Sequence, residues 1–449
     1  MPLVGDVPII EHDNEGSVRR IGELELDLLV SLVGAPQDKR IHSLARLGLV
    51  HVGFSNDQQV RGAPAAFWEV YCKLPTTGFT IYRQTSAGTE ILQRANFPTR
   101  HYYLLNLAAL HAKASVYVEQ LLIRIAAGGE VPIGAMSLPY AGTVNRHPTT
   151  AHVARYLLNV SLSALKKKIA RVCKIENRWS VSFVPNEWRQ AVLADATLIQ
   201  NPSGRYFADP FLFVRNDETF CFVEDYDCAK GRARISVLKL AAGQAELLGV
   251  ALDEPFHLSF PYLFEHEGSL FMCPESSEAK EIRVYRCVDF PLQWRLERVV
   301  MPDVHAADSM IFEKDGRWWL LTNIDPAGIG DHCSELFVFH SDSPLSTHWT
   351  AHPNNPVVAD AGFARNAGLL RDGPRIFRVS QRQGFDQYGQ GSQINEILSL
   401  TAEDYSEACA ARIDPTFRPG AIGTHHMHST GAMTVIDSLK STARRHELQ

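Results

Sequence analysis

Metal-ligand spacing is missing from this chain. Its eight cysteines (Cys72, Cys173, Cys221, Cys228, Cys273, Cys287, Cys333 and Cys409) form no Cys-x-x-Cys pair, which excludes zinc ribbons and dithiol redox motifs. Several lie inside strand-like apolar runs, and the eight read as reduced, buried thiols of a reducing compartment. Charge of one sign is also lacking: 44 Lys+Arg stand against 50 Asp+Glu, a net −6, so the chain offers no field for nucleic acid and no nucleic-acid partner is expected. No run reaches the roughly 18 to 20 apolar residues that a spanning helix needs. The first residues, Met1-Pro2-Leu3-Val4-Gly5-Asp6, lack the basic stretch and apolar core of a signal peptide, and a cytoplasmic protein is expected. Neither a metal nor another cofactor is expected.

What is present is a repeat. Phe207-Ala208-Asp209-Pro210-Phe211-Leu212-Phe213 aligns with Leu258-Ser259-Phe260-Pro261-Tyr262-Leu263-Phe264 and with Ala306-Ala307-Asp308-Ser309-Met310-Ile311-Phe312. Asp209, Phe260 and Asp308 become equivalent, 51 and 48 residues apart. Fifteen residues onward from each stand Glu224, Glu275 and Asn323. A weaker fourth copy begins at Ala364-Arg365-Asn366. Repeats of about 50 residues, each with apolar strands and turns, are the mark of a β-propeller, in which one strand end per blade points into a shared axial funnel.

The expected fold class is multi-domain: an N-terminal α/β part followed by an all-β five-bladed propeller. Residues 1–21 read as a tail and 22–130 as the α/β domain, with strand-like runs at 26–32, 48–53 and 79–83 and a helix over 101–126. Residues 131–177 read as a connector carrying a helix from about Thr150 to Cys173. Its apolar positions Val153, Tyr156, Leu157, Val160, Leu165 and Ile169 are set on one side, with Arg155, Lys166, Lys167, Lys168 and Arg171 elsewhere. Such a helix suits either plain solvation or peripheral contact with an anionic inner membrane face. The propeller is expected over 178–437, with hairpin tips at Lys314-Asp315-Gly316-Arg317 and His266-Glu267-Gly268-Ser269, and a tail over 438–449.

Within the first domain, Arg61-Gly62-Ala63-Pro64-Ala65-Ala66-Phe67-Trp68 and Thr77-Gly78-Phe79-Thr80-Ile81 carry a resemblance to the hydroxymethyl/formyl-transferase family over about residues 22–127. The family's chemistry uses an Asn-x-His pair and an Asp to position and deprotonate the attacking amine. Here His51, Gly53 and Ala87 occupy those places, so the resemblance implies the fold, truncated and without formyl transfer.

From about 200 to 430 the chain resembles the N-terminal, glycoside hydrolase family 43-like domain of glucosamine inositolphosphorylceramide transferases. The resemblance rests on Phe207-Ala208-Asp209-Pro210-Phe211, Val223-Glu224-Asp225-Tyr226, His257-Leu258-Ser259-Phe260-Pro261-Tyr262, Cys273-Pro274-Glu275-Ser276-Ser277, His352-Pro353-Asn354-Asn355-Pro356 and Asn395-Glu396-Ile397. It implies a carbohydrate-facing propeller, with Asp209 at the position of the base and Asp308 at that of an orienting carboxylate. The acid has no clear counterpart, and Glu275 or Glu224 could reach the funnel instead. The expected catalytic set is therefore Asp209, Asp308 and Glu275. The expected substrate-binding set is Glu224, Asp225, Arg365, Asn366, Asn323, His425 and His426. Each acid could equally fix a turn, and Arg365 could pair internally.

The reading is a carbohydrate-active protein, transferring or hydrolysing a glycosyl unit of a glycan or glycolipid precursor in surface polysaccharide assembly. Its expected partners are a glycan, glycolipid or nucleotide-sugar substrate and other polysaccharide-assembly enzymes. The alternatives are a non-catalytic sugar-binding or scaffold module and, third, a sugar-amine formyltransferase.

Overall fold

In the computed structural model, residues 15–31, 34, 36, 38–55, 61–128, 135–136, 140, 142–173, 175–241 and 243–443 are described. They fall into two compact units, Met1–Val153 and Ala154–Gln449. Of the connector expected over 131–177, residues 131–134, 137–139, 141 and 174 lie outside the described residues, as does most of the expected 1–21 tail. A helix, Glu15–Glu23, begins within that tail.

The first unit is α/β. Its sheet runs in the order Leu29–Ser31, Leu49–Gly53, Thr76–Thr85, Gly88–Pro98, Ala135–Met136. The first pair is parallel and the others antiparallel. Alternation buries Val50, Val52, Phe79, Ile81 and Phe97, and the helix Tyr103–Ala126 adds Leu110, Ala114 and Tyr117 to the core.

The second unit contains five antiparallel sheets. Blade one comprises Arg205–Arg215, Glu218–Asp227, Arg232–Ala241 and Gln244–Leu252; blade two, Ser259–His266, Ser269–Glu275, Glu281–Asp289 and Gln293–Pro302. Blade three comprises Ala306–Lys314, Arg317–Ile324, Glu335–Ser341 and Thr350–Ala351, with Val358–Ala359 beside its third strand; blade four, Asn366–Asp372, Arg375–Gly384, Gln387–Leu400 and Tyr405–Ile413. Blade five joins Met427–Ser429 and Met433–Ala443 to Ile175–Pro185 and Thr197–Leu198, which precede blade one in the chain. The innermost strands touch in sequence, and the last, Met427–Ser429, touches the first, Arg205–Arg215. The ring is a closed five-bladed propeller, which leaves only short innermost edges, protected around the axis.

Turn chemistry sets the inner hairpins. Asn216 and Asp217, Glu267 and Gly268, and Asp315 and Gly316 all have positive φ, the requirement of the two-residue turn that matches strand twist. Apolar side chains between blades form the core, with Phe260, Met310, Ile311, Leu320 and Val338 fully buried.

Both ends of the propeller differ from expectation, its first strand beginning at Ile175, within the expected connector. Residues 438–443 are no tail but the end of the closing strand, with Ser438 opposite Ser180, Leu439 opposite Trp179 and Ala443 opposite Ile175. Leu439 packs with Trp179 and Ala208, an apolar contact that a short polar-looking ending conceals in sequence.

Candidate active site

The repeat maps onto a repeated backbone irregularity. In the first three blades the innermost ladder is broken between Ala208 and Phe211, Ser259 and Tyr262, and Ala307 and Met310. Asp209, Phe260 and Asp308 sit in these bulges with φ of 47°, 47° and 48°. A non-glycine residue in that region is costly and is kept where the surroundings demand it, and a bulge re-aims its side chain. The polar residues fifteen positions onward fall opposite the residue before each bulge: Ala208 faces Glu224, Ser259 faces Glu275 and Ala307 faces Asn323.

These bulges bring charges together. Arg365 Nε donates to Asp308 Oδ2 at 2.6 Å, and its Nη2 donates to Glu275 Oε2 at 3.3 Å. Gln381 Nε2 donates to the same Asp308 oxygen at 3.2 Å. On the other side, His425 lies between two carboxylates, its Nε2 3.4 Å from Asp209 and its Nδ1 2.6 Å from Asp437. The Oδ1 of Asp437 also accepts from the backbone N–H of His425 at 2.9 Å and of His426 at 3.1 Å, fixing that acid under the ring. Glu224 Oε1 is 3.6 Å from His257 Nε2.

Aromatic groups wall this cluster. Trp179 stacks on His425 at 3.8 Å between centroids, and Tyr388 meets the same imidazole edge-on at 5.4 Å. Tyr388 is exposed, with the Arg365 guanidinium 5.2 Å from its ring centre. The approach needs Gly389, at φ 62°, because a Cβ there would stand 2.8 Å from His425 Cβ and 3.0 Å from Trp179 Cη2.

Five carboxyl groups (Asp209, Glu224, Glu275, Asp308, Asp437) thus face one arginine, Arg365, and two histidines, His425 and His257, and burial disfavours charge. Burial, above all, pushes Asp209 up to about 7, with Asp308 and Asp437 adding repulsion against the pull of His425 and Arg365. Asp308 is likewise pushed up to about 7, by burial and by Glu275, although Arg365 opposes it. Burial and the neighbouring acids raise Glu224 well above the carboxylate range. Burial works against a charged His425, but Asp437 and Asp209 outweigh it and its pKa rises. Such a cluster exchanges protons near neutrality and has the components of general acid and base chemistry.

Not every expected residue is part of it. Asp225, next to Glu224, points to the other face of its strand, where Arg205, Arg234 and Ser236 hold it; Arg234 Nε is at 3.3 Å and Ser236 Oγ at 2.6 Å. Alternation along a strand separates the two acids, so Asp225 is a structural clamp. Asn323 and Asn366 staple backbone. Asn323 Nδ2 donates to Glu335 O at 2.8 Å and Ala364 O at 3.0 Å, while its Oδ1 accepts from Asn366 N at 2.9 Å. Asn366 Nδ2 donates to Asp308 O at 2.9 Å and Leu321 O at 3.2 Å.

The alignment that set Asn366 level with Asp308 is one residue out. Blade four has its bulge between Asn366 and Leu369, so Asn366 is level with Ala307. His426 is wedged against Phe211 and Phe260 at 4.5 and 5.3 Å, and burial, above all, lowers its pKa far enough to keep it neutral. It is apolar packing beneath the cluster, away from any ligand-facing role. Sequence reasoning missed Asp437, Trp179, Tyr388 and Gln381. Asp437 and Trp179 lie in the closing strands, outside the repeats that carried the search.

Asp209, His425 and Asp437 offer three ligand atoms within 4.8 Å of one another. The imidazole, however, turns a different nitrogen to each acid. That suits a proton path better than one shared cation, which would draw all its ligands to one point.

In the N-terminal unit, His51 is buried and stacks on Tyr82 at 5.1 Å. A Cβ at Gly53 would stand 2.7 Å from the same Tyr82 ring. Ala87 is exposed on the hairpin between Thr85 and Gly88.

Fold and cluster together define a five-bladed propeller with a buried acid–base cluster where its innermost strands meet. The chain belongs to the family described as Glucosamine inositolphosphorylceramide transferase 1, N-terminal, whose model matches residues 179–415. It is 39% identical over 211 residues to glucosamine inositolphosphorylceramide transferase 1 of Oryza sativa subsp. japonica, covering 45% of this chain and 27% of that one. With the protein of that name from Arabidopsis thaliana it is 37% identical over 209 residues, with coverages of 45% and 27%. The chain thus spans about a quarter of the length of the curated relatives it matches. Among solved structures, it is similar to the catalytic domain of Coprinopsis cinerea GH62 alpha-L-arabinofuranosidase, with 12% identity, a TM-score of 0.41 and coverages of 58% and 96%. A family 117 glycoside hydrolase from Zobellia galactanivorans gives 10% identity, a TM-score of 0.39 and coverages of 58% and 90%.

Proposed function

We propose that the funnel binds a sugar unit of a glycan or glycolipid and acts on its glycosidic centre, by transfer or hydrolysis. The observation that carries this reading is the pair of buried acids, Asp209 and Asp308, both poised at about 7 and set against His425 and Arg365. Glycosidic chemistry needs one carboxyl ionised and one protonated in the same site. In this reading Asp209, paired with His425, takes the proton of the attacking hydroxyl or attacks the anomeric carbon itself. Glu224, kept protonated by burial and its acidic neighbours, gives its proton to the departing oxygen. Arg365 holds Asp308 and Glu275 in place, and Trp179 and Tyr388 supply faces on which a sugar ring stacks.

The relatives' name, glucosamine inositolphosphorylceramide transferase, supports a glycolipid as the substrate class. Within the proposal the setting is surface polysaccharide assembly at the cytoplasmic face of a membrane, where a nucleotide-sugar or glycolipid is supplied and consumed by other assembly enzymes. A second reading, sugar binding without turnover, is favoured by one observation: Arg365 already occupies both Asp308 and Glu275.

Calorimetry against saccharides and glycolipids, with mass spectrometry of the products, tests both. The expected result is conversion by the wild type and, in Asp209→Asn, retained binding with turnover reduced by roughly a hundred- to ten-thousand-fold, as for loss of a general base. Binding by both proteins with turnover by neither establishes the second reading. Full activity in Asp209→Asn removes Asp209 as base, and an absence of any saccharide binding overturns both readings.

A further inference from the structure

The helix Thr150–Val172 has no buried residue. Leu158, Leu162, Leu165, Ile169 and Val172 follow one another at spacings of four, three, four and three, which sets them in one stripe along a helix. They are 46% to 76% exposed. The partly covered side, with Tyr156, Asn159, Ser163 and Ala170, lies opposite this stripe. Within the second unit Lys167 Nζ reaches Asp386 Oδ2 at 2.7 Å, and Asp386 is two residues from Tyr388. The helix is therefore tied to the hairpin that walls the acidic cluster.

Charge decides what covers such a stripe. From Thr150 to Ile175 there are six basic residues (Arg155, Lys166, Lys167, Lys168, Arg171 and Lys174) and no Asp or Glu. Arg155 and Lys166 flank one border of the stripe and Lys168 the other, all exposed. A second copy of this helix offers no acid to pair with those lysines, whereas an anionic lipid surface accepts both the apolar side chains and the basic borders. The helix is also not apolar enough to cross a membrane.

We propose that this helix lies on the surface of an anionic bilayer, its leucine stripe among the acyl chains and its lysines among the headgroups, next to the mouth of the funnel. The proposal does not depend on whether the funnel is catalytic.

The test is co-sedimentation of the full chain with vesicles of phosphatidylcholine alone and of equimolar phosphatidylcholine and phosphatidylglycerol, at physiological salt. Binding to the second and not the first is expected. Lys166→Gln with Lys168→Gln should weaken partitioning about twenty-five-fold, since each basic residue near such a surface contributes roughly five-fold. Leu162→Glu with Ile169→Glu should abolish it, and thermal unfolding of both variants should match the wild type because the changed side chains are exposed. No binding by the wild type overturns the proposal. So does undiminished binding by the variants, or light scattering that shows a dimer which Leu162→Glu with Ile169→Glu dissociates. Saccharide binding measured without vesicles should be untouched by either pair of changes, which separates this result from that of the funnel.

Discussion

Replacing Asp209 by Asn tests the electrostatics of the funnel without any need to know the substrate. The backbone tolerates the change, because Asn accepts the left-handed conformation that Asp209 holds at φ 47°. The charge is another matter. Unfolded, this carboxyl ionises near the ordinary 3.8; folded, it is pushed up to about 7. A folded pKa raised above the unfolded one means that the native state binds the proton more tightly. The resulting stability is complete below about pH 4 and is lost as pH rises toward 7. Between pH 5 and pH 8 the wild type should lose roughly two pK units' worth of this stabilisation, about 3 kcal/mol at 1.36 kcal/mol per unit. The asparagine variant carries no titrating group and is spared the loss. Because His425 stands 3.4 Å from Asp209 and its charge acts on that carboxyl, the slope belongs to the pair. Urea unfolding of both proteins at half-unit steps from pH 5 to 8 measures the difference, in which titrations elsewhere in the molecule cancel. The expected result is a variant that gains on the wild type by about 3 kcal/mol across the range. A difference flat to within about 0.5 kcal/mol, or one that runs the other way, refutes the assignment of a proton-holding Asp209.

Two further substitutions separate the cluster from its supports. Arg365→Gln leaves Asp308 without its counter-charge, which should cost about 3–5 kcal/mol at pH 8 and distinctly less at pH 5, where Asp308 is protonated; denaturant midpoints at the two pH values check this. Asp225→Asn should cost about 2 kcal/mol through weakened charged hydrogen bonds, since Arg205 and Arg234 reach solvent, while saccharide affinity by calorimetry stays unchanged.

The parts of the molecule legible in sequence were those repeated along it. Three blades announce themselves because the same bulge needs the same residue pattern, and Asp209 and Asp308 stand out as acids at equivalent places. The hairpins at Glu267-Gly268 and Asp315-Gly316 were legible because positive φ restricts the choice of residue. Partners across the ring were not. Nothing local says that Arg365 reaches both Asp308 and Glu275, or that Asp437 sits beneath His425, since those contacts bridge different blades or strands far apart in the chain. Asp225 resembles a site residue in sequence because adjacency to Glu224 hides the alternation that turns it away.

The fifth blade is stitched from the two ends of the propeller segment, Ile175–Pro185 against Met433–Ala443. Trp179 comes from one end, and His425 and Asp437 come from near the other. During synthesis, blades one to four can pack while Asp209 still has no histidine beside it and no indole above that histidine. The acid–base cluster of the funnel is therefore completed last, when the final strand is laid down beside the first. Loss of even the last dozen described residues would remove Asp437 and strip His425 of one of its two carboxylates.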